Sequence, residues 1–333
     1  MSDLIKVLTI DGGGIRGIIP GVVLTALESK LQAKYQDNNL KIGDCFDIIA
    51  GTSTGGILAA TLLCPDATNP GKPKYSAKDA LNLYMTRGEA IFDISLWHKI
   101  KSGGGLTDEK YNNAELMDAL NDYFADIKLS ELIKPCLLTA YDIRNRKTVF
   151  FNQMDAKKNQ FDDFFVRDLA YSTAAAPTYF ECAHIKSLTN IPHSLIDGGV
   201  FANNPTLCAY SEVRNKFAGH PTAKDMVILS IGTGYSKKPY YHQEVKDWGL
   251  INWVRPILDI MMSGVSETVD YQLMQIYDAV EKSEQYVRVN APLLFASPDM
   301  DDASIENLEK LHQEGASFAK NFNTQLNKLV NFL

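Results

Sequence analysis

Three glycine-rich turns, each following a short apolar run, constrain this chain more than any other feature. The first is Asp11-Gly12-Gly13-Gly14-Ile15-Arg16-Gly17, after the β-branched run at residues 4–10. The second is Gly51-Thr52-Ser53-Thr54-Gly55-Gly56, after residues 46–50, and the third is Asp197-Gly198-Gly199, after residues 194–196. In an open parallel sheet, turns that follow strands gather at the C-terminal edge, where ligands bind. One turn carries a serine, one an aspartate and one only backbone amides. Acyl transfer needs that set, as nucleophile, base and oxyanion hole.

The middle turn is the sharpest. Ser53 lies within Gly51-x-Ser53-x-Gly55, the spacing of a nucleophile elbow, in which a strained strand-to-helix turn pushes the hydroxyl out at the strand's end. Side chains at the two glycines would collide across such a turn. The helix expected over residues 56–64 aims its amide dipoles at the same point and favours developing negative charge there. Alone, three fixed residues in five also describe a plain Gly/Ser/Thr loop; the other two turns supply the specificity.

The rest of the chain alternates strand and helix, which predicts an α/β fold with a mostly parallel central sheet. A helix starting near Pro20 carries Val23, Leu24, Leu27 and Leu31 on one face. With the strands at 4–10 and 46–50 it makes a βαβ unit of right-handed crossover. Further helices are expected at 77–92, 114–124, 163–176 and 205–217, and strands at 136–141, 148–152, 194–196 and 226–231. Residues 93–110 read as irregular, with Gly103, Gly104 and Gly105 a flexible segment at an active-site mouth. Residues 245–333 read as mostly helical, with a strand at 286–290 and a last helix over 305–333 closing the core. The apolar stretch holding Trp248, Trp253, Ile257, Leu258 and Met261 suits either packing against the sheet or a lipid-contacting rim. No repeat or linker divides the chain, so residues 1–333 are expected to form one domain.

The 33 basic and 40 acidic residues give a net charge of −7, which argues against a nucleic-acid binder, since that function needs a basic face. The five dispersed cysteines, with no CxxC pair, argue against a metal site or a disulfide framework and suit a reducing compartment. The first strand follows Met1-Ser2-Asp3 without a signal peptide, and no apolar run reaches membrane-spanning length. A cytoplasmic protein, at most peripheral to membranes, is expected.

In this order, the three turns resemble the patatin-like phospholipase family. The likeness continues through residues 171–177 (YSTAAAP), 229–234 (LSIGTG), 248–249 and 300–304 (MDDAS), nearly the whole chain, and is close to plant patatins. The resemblance implies a three-layer α/β/α fold and a lipid acyl hydrolase that needs no metal or cofactor and uses a Ser–Asp dyad without histidine. Ser53 matches the nucleophile and Asp197 the base. Gly12, Gly13 and Gly14 match the oxyanion-hole loop, with the Thr54 amide a further donor. Asp11, Arg16, Gly17, Gly51, Gly55, Gly198 and Gly199 complete the motifs, and Arg16 would order the glycine loop or meet a lipid phosphate. Ser53 would attack the ester carbonyl while Asp197 takes its proton, which requires a carboxylate desolvated enough to be a useful base. Expected substrates are fatty acyl esters of phospholipids, lysophospholipids or galactolipids, met transiently at a membrane or micelle surface.

Three other readings compete. Gly12-x-Gly14-x-x-Gly17 after a strand suggests dinucleotide binding, but the acidic residue expected at the end of the second strand is replaced by Ala50-Gly51. A Ser-His-Asp α/β-hydrolase would draw its base from His220, His242 or His312, which follow Asp197, but too few strands precede Ser53 for that architecture. A storage or regulatory protein without turnover is the third, since plant patatins serve as tuber storage proteins; an intact Ser53 and Asp197 argue against inactivity. His184 and His193 read as structural, and Asp108, Asp142, Asp301 and Asp302 as turn or capping residues.

Overall fold

The computed structural model describes residues 4–91 and 113–333. The expectations for residues 93–110, including Gly103, Gly104, Gly105 and Asp108, lie outside the described residues.

Eight strands form one mixed sheet: β1 (Ile5–Ile10), β2 (Ile48–Gly51), β3 (Cys136–Asp142), β4 (Lys147–Asn152), β5 (Ala183–Lys186), β6 (Pro192–Asp197), β7 (Met226–Ile231) and β8 (Tyr286–Val289). β3, β2, β1, β7 and β8 run parallel side by side. β4, β5 and β6 join antiparallel. The strand β5 has no counterpart in the sequence reading; its four residues alternate buried and exposed at the sheet's margin, too short a pattern to distinguish from a loop.

The sheet is buried on both faces, and side-chain alternation sorts its residues into two cores. Leu8, Ile10, Ile49, Leu138, Leu229 and Ile231 point into the larger core, against α1 (Ile18–Tyr35), α2 (Thr54–Leu62), α3 (Ala77–Ile91), α4 (Asn113–Phe124) and α5 (Val166–Ala174). Val7, Ile48, Ala50, Leu137, Met226 and Ile228 point the other way, against α6 (Thr206–Lys216) and the end of α7 (Leu250–Asp278), through Ala209, Val213, Leu273 and Tyr277. The fold is therefore a three-layer α/β/α sandwich, as the sequence leads one to expect. The last helix divides at Phe322 into α8 (Ile305–Asn321) and α9 (Asn323–Phe332); Leu308, Leu311, Phe318, Leu326 and Leu329 still enter the larger core.

One departure from a simple parallel sheet positions the site. β4 pairs with Leu137 through Asp142 of β3 and so occupies one whole edge of that strand. On the opposite edge, β2 covers only Cys136 to Leu138, and β6 covers Ala140 to Asp142. β2 and β6 therefore abut end to end and run toward each other. Their C-terminal residues, Gly51 and Asp197, pair with Leu138 and Ala140, either side of Thr139. An antiparallel strand thus delivers its C-terminal residue to the edge where the parallel strands end.

The apolar stretch at the start of α7 does not pack into the core along its length. Ile257, Ile260 and Met261 are 42%, 42% and 46% exposed. Trp248 stacks edge-on with Tyr240 and Trp253 outside the main core. Among the described residues, no helix is long and apolar enough to cross a membrane.

Candidate active site

Ser53 ends the β2–α2 turn with φ 54° and ψ −128°, a conformation that L-residues avoid unless the surroundings enforce it. The enforcement is visible. A Cβ on Gly51 would strike the Gly55 carbonyl, and one on Gly55 would strike the Ile10 carbonyl. The Ser53 amide donates to Thr173 Oγ1 at 2.9 Å. Next to it, Thr52 Oγ1 donates to the Ala202 carbonyl at 2.6 Å and meets Thr139 Oγ1 at 2.8 Å. This ties the elbow to the point on β3 where the two strands converge.

The Ser53 side chain shares a cleft with the Asp197 carboxylate and favours its ionised form. Asp197 is 3% exposed, and Gly199 N–H donates to its Oδ1 at 2.6 Å. Burial pushes its pKa up to about 7, with Ser53 and the Gly199 amide pulling the other way. Desolvation penalises the charged form more than these polar neighbours repay.

The first glycine turn is held on both sides. Asp11 N–H donates to the Ile231 carbonyl at 2.9 Å, Gly12 N–H to the Asn203 carbonyl at 3.0 Å, and Ile15 N–H to the Met300 carbonyl at 2.8 Å. Thr233 Oγ1 donates to the Gly12 carbonyl at 3.0 Å. Gly14 adopts φ +59°, and a Cβ there would collide with the Met300 carbonyl. The Gly12 amide is thus engaged, whereas those of Gly13 and Gly14 meet no protein acceptor among the described residues. The Thr54 amide, first in α2, lacks an intrahelical acceptor as any first helical residue does.

Ser53, Thr54, Asp197, Gly14 and Gly199 open onto a narrow, mostly apolar cleft of about 80 Å³, walled by Leu83, Tyr84, Ile91, Leu116, Phe180, Leu258 and Met261. Tyr84 fixes the rear by donating to the Thr54 carbonyl at 2.7 Å. Arg16 is buried, with Nε donating to the Gly13 carbonyl at 3.4 Å, and it also lines a second, polar cavity. Gly17 abuts Thr54, and Gly198 abuts Thr139.

No histidine among the described residues lines the cleft. His220 Nδ1 lies 3.1 Å from the carbonyl of Arg214 in the last turn of α6, and His242 and His312 are exposed. His193 packs on Phe164 near Asp142. Asp142 caps its turn by accepting from Asn145, and Asp302 does so for Ser304. Among the described residues, no group of three or more His, Cys, Asp or Glu could hold a metal ion.

Four contributors to this geometry escaped the motif reading: Thr173, Asn203, Met300, and Arg288, which pairs with Asp11 at the root of the first glycine turn. Thr173 and Met300 stand inside stretches that carry the family resemblance. Arg288 had a different signal, a cation inside the apolar strand YVRV, which demands a buried anion.

A family model described as Patatin-like phospholipase matches residues 8–210. Patatin-like protein 2 of Arabidopsis thaliana is 34% identical over 96% of this chain and 84% of its own length. Probable inactive patatin-3-Kuras 1 of Solanum tuberosum is 32% identical, over 96% of this chain and 87% of its own. Among solved structures, VipD from Legionella pneumophila is similar at 11% identity and a TM-score of 0.40, covering 94% of this chain and 67% of that one. The chain belongs to the patatin-like phospholipase family.

Proposed function

We propose that the protein is a lipid acyl hydrolase in which Ser53 is the nucleophile and Asp197 the general base. The observation that carries this reading is the convergence, in one cleft, of the elbow serine and a buried carboxylate whose pKa is raised to about 7, near the working range of a general base. Ser53 Oγ attacks the ester carbonyl carbon as Asp197 takes its proton. The oxyanion is met by the amides of Gly13, Gly14 and Thr54, each such donor being worth roughly 3 kcal/mol. As the C–O bond breaks, Asp197 passes the proton to the leaving alkoxide, and an acyl-Ser53 remains. Asp197 then deprotonates a water that attacks the acyl carbon, and returns that proton to Ser53 Oγ.

The apolar cleft suits an acyl chain, and Ile257, Ile260 and Met261 at its α7 side suit contact with aggregated lipid. One relative is named probable inactive, so turnover must be tested directly. A fluorophosphonate probe should modify Ser53 alone, located by peptide mass spectrometry, and Ser53→Ala should take no label. A folded protein that neither reacts with the probe nor hydrolyses p-nitrophenyl esters would be a storage or binding protein instead.

A further inference from the structure

Beside the acyl cleft lies a polar cavity of about 400 Å³. The two share Met262 and Met300 as walls, so they are neighbours across the oxyanion loop. The cavity's outer side is one face of α7, where Asp259, Ser263, Ser266, Glu267 and Asp270 recur at helical spacing. Its inner side carries Asp11, Arg288, Arg16 and Asn203.

The charges do not balance. Asp11 and Arg288 neutralise each other in a bidentate pair. That leaves Asp259, Glu267 and Asp270 against the single cation Arg16, a surplus of two negative charges in the lining. Among the described residues, Asp259 and Asp270 accept only from tyrosine hydroxyls, of Tyr240 and Tyr286. No ion pair satisfies any of the three among the described residues. Two buried groups at the inner wall are also under-partnered. Asn203 is 6% exposed and its Oδ1 has no hydrogen-bond partner among the described residues. Arg16 makes one long bond with Nε, although a guanidinium carries five donors.

We propose that this cavity is a head-group subsite that selects phospholipids bearing an ammonium group. A phosphocholine or phosphoethanolamine head presents its cation to the α7 carboxylates and its anionic part to Arg16. A head with net negative charge is repelled by the same carboxylates. The inference rests on the acyl hydrolase reading, because it places the head beside an acyl chain already seated over Ser53.

The test compares dioleoyl phosphatidylcholine with dioleoyl phosphatidylglycerol, each dilute in micelles of a neutral detergent, so that acyl chains and presentation are alike. Hydrolysis of p-nitrophenyl butyrate, which has no head group, counts working enzyme. The full chain should hydrolyse the choline lipid about tenfold faster, the size expected from a few partly solvated charge contacts. The double variant Asp259→Asn/Glu267→Gln should bring the ratio to within about twofold of unity; Asp270 is left in place because it holds Tyr286. A ratio near one in the unaltered protein, a ratio unchanged in the double variant, or faster hydrolysis of a dioleoyl galactolipid would overturn the head-group assignment while leaving the hydrolase standing. Failure of the hydrolase reading looks different: no ester of any kind is cleaved and Ser53 takes no probe, which overturns both.

Discussion

The Arg288 guanidinium grips both carboxylate oxygens of Asp11, Nη1 to Oδ1 at 2.8 Å and Nη2 to Oδ2 at 2.5 Å. Asp11 immediately precedes the three glycines, so an arginine on β8 anchors the root of the loop proposed to bind the oxyanion. Arg288 Nη1 also donates to Ser230 Oγ at 2.7 Å, and the hydroxyls of Ser230, Thr206 and Thr9 form a chain beyond it. Asp11 in turn holds Arg288 firmly protonated, its pKa above the ordinary arginine value.

Arg288→Met should therefore strand a buried carboxylate. Removing one partner of a buried pair typically costs about 3–5 kcal/mol. Urea denaturation at pH 7 should show a loss of that order, with a smaller loss for Arg288→Lys. Unchanged stability in Arg288→Met would mean that the pair holds nothing in place.

The raised pKa of Asp197 couples activity and stability with opposite sign. As a base it must be ionised, so kcat/KM should rise with pH through about 7 and then level off. In the unfolded chain the same group ionises near the ordinary aspartate value, about 3.9. Between those values the folded state binds more protons than the unfolded one, so this group's contribution to stability falls as pH rises through that window. The total is on the order of 4 kcal/mol. Asp197→Asn should then be nearly inactive yet more stable than the unaltered protein at pH 8, with the gain vanishing near pH 4. Thermal melts of both proteins across this range would check it; a variant less stable at pH 8 would contradict the buried-acid account.

Gly14→Ala should be damaging for two reasons visible in the structure: φ +59° and the Met300 carbonyl standing where the new methyl would go. The loop must shift, and its amides with it. Loss of a single oxyanion donor typically lowers kcat by roughly 100-fold or more, and the variant should show that loss in kcat with little change in KM. Full kcat in a folded Gly14→Ala protein would remove Gly14 from the proposed oxyanion hole.

Ile257→Ser/Ile260→Ser should separate lipid docking from chemistry. Both side chains are 42% exposed on α7, beside the cleft residues Leu258 and Met261. The ratio of activity on micellar long-chain lipid to activity on a soluble short-chain ester should fall several-fold. An unaltered ratio would count against a lipid-contacting rim.

What the sequence shows and what it hides divide along a physical line. Local chemistry is legible: the glycines at 51 and 55 announce the elbow because no other residue fits, and the alternation of apolar runs announces the layers. Convergence of distant segments is less so. A reading in which every turn gathers at the edge of a parallel sheet puts Asp197 near Ser53, but for an incomplete reason, since β6 runs antiparallel and arrives only because β3 overhangs β2. Nothing local encodes that overhang. Likewise, Trp248 to Met262 is apolar enough for a core, and only the packing of α7 shows which side chains face out. Thr173 and Asn203 act through backbone contacts that no spacing rule announces.

In the proposed mechanism the proton of Ser53 goes to Asp197 and to no histidine. The most direct measurement compares single-turnover acylation by a p-nitrophenyl ester in two proteins. One carries Asp197→Asn; the other replaces His220, His242 and His312 together by glutamine. Acylation should fall roughly 1,000-fold in the first, the scale of losing a general base, and stay within a fewfold of normal in the second. A histidine-depleted protein that is folded but inert, beside an Asp197→Asn protein that still acylates, would contradict it and return the base to a histidine.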